Sequence, residues 1–313
     1  IFKRLYLENR EIQYVILMGD YIGEMVKGFS KKQDDGTIES ERFLKLLNKW
    51  HKKSPKEIAI ELNLVNENDP LILPSVVLYK RLTEEMNADY VWVPGVSIDD
   101  GIVCDYADRN HMLHFLHDFN RDILAAARNL AERYQSYSSH TESVLSTSTV
   151  IFDAMRKVHG LGKRERLLLQ VASILHDCGR YVSLTNQSEC SYQIIMASEI
   201  IGMTDLEREI VASTVEYNSL PRPPYEGLHD KLDKESYVVV SKLTAILKIA
   251  NAMDRSHKQK FEAIRAALRG KELIITIETK ENTVLEKGLF SSYVESFEEV
   301  FSIMPKIKEK RVF

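Results

Sequence analysis

Leu167–Tyr181 reads LLLQVASILHDCGRY, and this stretch decides the fold. Leu167, Leu168, Val171, Ala172, Ile174 and Leu175 recur at helical spacing and cover most of a helix circumference. Such a segment is predicted to lie in the middle of a bundle. His176 and Asp177 follow side by side, just before Gly179 can end the helix. An imidazole and a carboxylate are costly to bury together unless each finds a partner. A divalent cation is one such partner; an ordinary hydrogen-bond network is the other.

The cation reading makes a demand on the rest of the chain. Adjacent helix residues point about 100° apart, so ligands must also come from helices before and after. Upstream, His140 in YSSHTESV opens a segment with Val144, Leu145, Ile151 and Met155 as an apolar stripe. Downstream, Asp254 ends LTAILKIANAMD, where Leu243, Ile246, Leu247 and Ala250 form another. The candidate metal set is therefore His140, His176, Asp177 and Asp254. Mixed nitrogen and carboxylate donors suit Mn²⁺, Fe²⁺ or Zn²⁺. Such an ion would polarise a phosphoryl oxygen and acidify a bound water.

The order H…HD…D on helices resembles the HD-domain superfamily of metal-dependent phosphohydrolases. Longer strings resemble the C-terminal region of the exopolyphosphatase / guanosine-pentaphosphate phosphatase family: GLGKRERLLLQVASILHDCGRY (160–181), NQSECSYQIIMASEIIGM (186–203) and LKIANAMDRSHKQKF (247–261). PGVSIDDGIVCDYA (94–107) resembles the end of that family's second actin-like domain. The resemblance implies hydrolysis of a terminal phosphoanhydride in polyphosphate or a guanosine pentaphosphate, with Mg²⁺. It also implies a phosphate loop and catalytic glutamate before Ile1, so that residues 1–313 alone are expected to be inactive. It places Gly19 and Asp20 at a turn bordering the phosphate cleft, where a plain strand-to-helix turn is the alternative. Two-metal relatives carry further histidines where this chain has Gln187 or Glu189, and Asn218, so a second metal is not expected. In the family as it is resembled, the helical domain serves as lid and dimer contact, which implies a homodimer.

Cations gather near the same end of the bundle. Arg255, Lys258, Lys260, Arg265, Arg269 and Lys271 face one nearby acid, Glu262, and Lys163, Arg164, Arg166 and Arg180 flank the central helix. Arg255, Lys258, Arg180, Lys163 and Arg164 are the candidate phosphate ligands. Arg265 and Arg269, four apart, read as a solvated helix face. A second HD pair, His117 and Asp118, lies in HMLHFLHDFNRDILAAARNLAERYQSY (111–137), read as one helix of about seven turns. His111, His114 and His117 fall three apart there, yet no later acid matches them, so hydrogen-bonded or exposed histidines are expected. Cys178 reads as a small buried packing residue rather than a nucleophile.

The fold class expected is α+β, mostly α. Residues 1–108 read as part of an actin-like (ribonuclease H-like) α/β domain, 109–258 as an HD-like all-α bundle, and 259–313 as a small C-terminal α/β element. Ser40, Ser54 and Thr204 are expected helix caps, the last two with Pro55 and Glu207 behind them. AIRAALRG is read as ending on Gly270, KELIITIETKENTVLEKGLF as a two-stranded hairpin, and KIKEKR as a basic tail. A net charge of −4 over 313 residues gives no general case for nucleic acid or an anionic membrane. No apolar run is long enough to span a bilayer. Three cysteines without CxxC spacing suit a cytoplasmic protein. Two rival functions stay open: an autonomous single-metal HD phosphohydrolase, and a non-catalytic anion-binding and dimerisation module.

Overall fold

The computed structural model describes residues 7, 11–19, 21–27, 37–64, 70–110, 112–113 and 117–311. The described chain is mostly helical, with two three-stranded sheets. It divides into two units, Ile1–Leu116 and His117–Phe313.

The first unit alternates strand and helix. In order it holds β1 (Tyr14–Ile16), α1 (Ile22–Lys27), β2 (Thr37–Glu39), α2 (Ser40–Trp50), α3 (Pro55–Glu61), α4 (Ile72–Met86), β3 (Tyr90–Trp92) and α5 (Ile98–Arg109). The sheet order is β1-β3-β2, parallel on one side of β3 and antiparallel on the other. Val15, Val91 and Ile38 lie opposite one another in this register and are buried, so one row of β-branched side chains faces the core. Phe43, Leu47, Ile72 and Val76 pack in the same core. Ser54 caps α3 as expected, accepting from the Glu57 backbone while Glu57 reaches back to Ser54. Ser40 does not cap α2. It is the first helical residue, because β2 runs straight into the helix and the Ser40 N–H is taken by the Asp89 carbonyl at 2.9 Å.

The second unit opens with α6 (Phe119–Arg133), α7 (Ser138–Ala154), α8 (Arg156–His159), α9 (Lys163–Leu175), α10 (Gln187–Ala197), α11 (Asp205–Ser219) and α12 (Lys234–Ala252). It closes with β4 (Ala263–Arg269), β5 (Glu272–Thr279), α13 (Val284–Phe301) and β6 (Met304–Arg311). As the pattern predicts, α9 is central. Leu169, Val171, Ala172, Ile174 and Leu175 have no exposure, and α6, α7, α11 and α12 all touch it. The Thr204–Glu207 capping box starts α11.

Four expectations are corrected here. The seven-turn helix from residue 111 begins only at Phe119, because the Asp118 side chain accepts from the Asn120 N–H and caps it. AIRAALR is a strand: Ile264, Ala266 and Leu268 share its inward face, and Arg265, Ala267 and Arg269 its exposed one. The hairpin is thus β4–β5, turning at Gly270 with φ +59, while residues 284–290 begin α13. KIKEKR belongs to β6, which pairs parallel to β5 and completes a β–α–β crossover through α13.

Candidate functional site

Three helix ends converge inside the bundle. His140 is the third residue of α7, His176 immediately follows α9, and Asp254 lies two residues past α12. All three side chains are buried. The His140 Nδ1–H donates to Asp254 Oδ2 at 2.9 Å, and the His176 Nδ1–H donates to the Ser173 carbonyl at 2.7 Å. With both Nδ1 atoms acting as donors, each neutral ring keeps its lone pair on Nε2. These two Nε2 atoms lie 3.2 Å apart. Two lone pairs at that distance repel, so one Nε2 must carry a hydrogen directed at the other.

The donor set can be tested for a metal ion. Two nitrogens on one tetrahedral ion with bonds of about 2.0–2.1 Å lie about 3.3 Å apart, so the imidazole pair has suitable spacing. The acids do not complete the set. Asp254 sits behind His140, on its Nδ1, where its oxygens accept from the Gln259 N–H (2.9 Å), Gln259 Nε2 (3.0 Å) and His140. Asp177 accepts from Gln187 Nε2 at 2.6 Å and Arg180 at 3.2 Å. Among the described residues no group of three or more His, Cys, Asp or Glu is arranged to hold a metal. The arrangement does not fit a four-ligand ion.

Electrostatics follow from burial. Burial, then the charge of His140, lowers the His176 pKa to about 4. For Asp254 burial acts upward, but hydrogen bonds from His140 and Gln259 outweigh it and hold the carboxyl below its usual range. Burial pushes the Cys178 thiol up to about 12, which leaves it inert as a nucleophile.

Several residues that build the site were not among the candidate ligands. His257, in left-handed backbone at φ +55, stacks on His140 with ring centres 3.7 Å apart, and Tyr137 lies beyond it at 6.1 Å. Gln259 and Gln187 hold the two carboxylates. The signal for His257 and Gln259 was the polar run RSHKQ after Asp254, too short to separate a turn from a site. Gly179 is needed for the close approach of the turn after α9 to α10. A Cβ there would stand 2.1 Å from the Gln187 carbonyl and 2.4 Å from the Ser191 nitrogen. That approach places Gln187 against Asp177.

A cleft of about 630 Å³ opens beside this group, lined among others by Tyr134, Tyr137, Asp177, Arg180, His257 and Lys258. Of the expected phosphate ligands, Arg180 and Lys258 are at this cleft. Arg255 is exposed and does not line it. Arg164 is held by both Glu207 oxygens (2.6 and 2.7 Å) and by the Gly202 carbonyl, and Lys163 lines a different cleft beside Asp153. Glu189 is exposed, and the buried Asn218 has no partner for its Oδ1 among the described residues. His117 hydrogen-bonds to Asp122 at 2.6 Å and Asp118 caps α6, so the second HD pair serves the start of that helix. His111 and His114 lie outside the described residues. In the first unit Gly19 has φ +144, and a Cβ would meet the Tyr79 hydroxyl at 2.6 Å. Asp20 lies outside the described residues.

Residues 124–295 match the family model described as Ppx/GppA phosphatase, domain III. No curated protein matches the chain. Among the described residues no helix is long and apolar enough to cross a membrane. The match spans more than half of the chain, which therefore belongs to the Ppx/GppA phosphatase family.

Proposed function

We propose that this member of the Ppx/GppA family is the C-terminal part of a phosphoanhydride hydrolase acting on polyphosphate or a guanosine pentaphosphate. In this reading residues 1–108 belong to an actin-like domain and the helical unit is HD-like. The helical unit would hold the anionic substrate while hydrolysis, with Mg²⁺, takes place at the actin-like domains. The family match carries the reading. The cleft beside His257 supports it, since Arg180 and Lys258 at its wall can fork onto or cap phosphate oxygens.

The His140–His176–Asp254 group is read as a proton-sharing anchor that fixes three helix ends and the loop bearing His257 and Lys258. An autonomous metal phosphohydrolase would need Asp177 and Asp254 as ligands, and both are engaged elsewhere. A homodimer is also proposed, and sedimentation at ten-micromolar concentrations would reveal it.

Calorimetric titration with sodium tripolyphosphate tests the substrate reading. The double variant Arg180→Gln, Lys258→Gln should bind at least tenfold more weakly than the unaltered chain. Equal affinity would remove the cleft beside His257 from substrate binding.

A further inference from the structure

A second cleft, of about 520 Å³, lies between α12, α13 and the loop following α11. Its lining shares no residue with the cleft beside His257. Three cations line it, Arg222, Lys242 and Lys248, against one exposed acid, Glu299. The partners found for these cations are all neutral. Arg222 donates to the Tyr237 hydroxyl and lies 4.8 Å over that ring; Lys242 donates to the His159 carbonyl at 2.6 Å; Lys248 reaches the Leu220 carbonyl at 3.5 Å. Elsewhere in the same unit partly buried cations are answered by carboxylates, as Arg164 is by Glu207, Arg166 by Asp153 and Lys260 by Glu286.

Like charges crowd this cleft. Burial and then the charge of Arg222 hold the Lys248 ammonium below its usual pKa, with no carboxylate to offset either effect. A second observation is independent of charge. Thr244 lines the cleft, is 3% exposed, and its hydroxyl has no hydrogen-bond partner among the described residues. Buried hydroxyls ordinarily have one. The cleft therefore offers unused donors: further N–H groups on Arg222, two on Lys242, more on Lys248, and a hydroxyl that rotation about its bond can direct.

The geometry points to a phosphate-class oxyanion site, an oligophosphate or the phosphate end of an ester, held by Arg222, Lys242 and Lys248 with Thr244 as a further donor. A guanidinium fork and two ammonium groups match tetrahedral oxyanions carrying two or more negative charges. The volume falls within the range of small-ligand pockets. This site is separate from the Arg180–Lys258 cleft and does not depend on it.

Tripolyphosphate titration of the full chain tests it in the Arg180→Gln, Lys258→Gln background, where the first cleft is disabled. One salt-sensitive binding event should persist, and adding either Lys248→Gln or Arg222→Gln should weaken it at least tenfold, while Lys248→Arg largely restores it. Thr244→Val should raise the Tm of the free chain yet weaken binding, a pair of opposite effects that a purely structural threonine would not give. Absence of binding in the background variant would overturn this site and leave the Arg180–Lys258 reading standing. Persistence of binding unchanged by both Lys248→Gln and Arg222→Gln would overturn it as well. Circular dichroism of each variant confirms folding, and either of the two charge variants suffices.

Discussion

His140 Nδ1 and Asp254 Oδ2, 114 residues apart in sequence, meet at 2.9 Å with both side chains almost wholly out of solvent. The contact ties the start of α7 to the end of α12, and through His176 to the end of α9. Removing one member of a buried hydrogen-bonded pair leaves the other stranded. Asp254→Ala should cost about 3–5 kcal/mol in urea denaturation, because His140 and Gln259 lose their acceptor together. A loss below 1 kcal/mol would mean that the pair does not anchor the helix ends.

The engaged carboxylates set an expectation for metal ions. Zn²⁺ or Mn²⁺ at tens of micromolar should leave the Tm within about a degree of the metal-free value, since two imidazoles alone are a poor donor set. If the Tm instead rises by several degrees, and His176→Ala abolishes the rise, the helix ends rearrange to supply further ligands.

Gly179 has no room for a methyl group beside the Gln187 carbonyl. Gly179→Ala should therefore destabilise the helical unit by at least about 2 kcal/mol, the cost of forcing apart a packed contact. Calorimetric melting measures this, and a Tm equal to that of the unaltered chain would contradict the close approach.

His159, the fully buried last residue of α8, donates from Nε2 to the Phe152 carbonyl at 3.0 Å and accepts at Nδ1 from the Leu161 N–H at 2.9 Å. Burial lowers its pKa, and the neutral ring alone satisfies both bonds. A histidine with a lowered folded pKa binds fewer protons folded than unfolded below pH about 6.5, so its contribution is present above that pH and lost as pH falls. Stability should decline from pH 7 to pH 5, with a shallower slope in His159→Gln. A stability profile that is flat over this range would refute the assignment.

Arg164 and Arg180 look alike in sequence, both flanking the central helix, but their surroundings separate them. Arg164→Ala should lower stability by about 1 kcal/mol and leave tripolyphosphate affinity unchanged, since its fork is committed to Glu207. Arg180→Ala should do the reverse, being exposed at the cleft mouth. Denaturation and titration of the two variants side by side decide the matter.

Much of this molecule was legible as pattern. The apolar circumference of Leu167–Leu175 required burial, Ser54 and Thr204 announced their helices, and the spacing of His140, His176 and Asp254 anticipated their meeting. Local pattern failed where two readings share one string. AIRAALR suits a helix by propensity, yet pairing with β5 half-buries Ile264, Ala266 and Leu268 on one face and makes it a strand. KIKEKR reads as a solvated tail until β5 offers it a parallel edge, where Lys310 meets Glu278 at 3.2 Å.

The sequence by itself determined that the central helix is buried, that Ser54 and Thr204 cap their helices, and that imidazoles and carboxylates end inside the bundle. Periodicity and capping act within a few residues, so they are written in any single stretch. Only the tertiary structure decided that Asp254 lies behind His140, that Asp177 faces Gln187, and that His257 covers the group. Which nitrogen faces which oxygen depends on helix ends far apart in the chain, and on a glycine turn whose closeness to α10 no local spacing encodes.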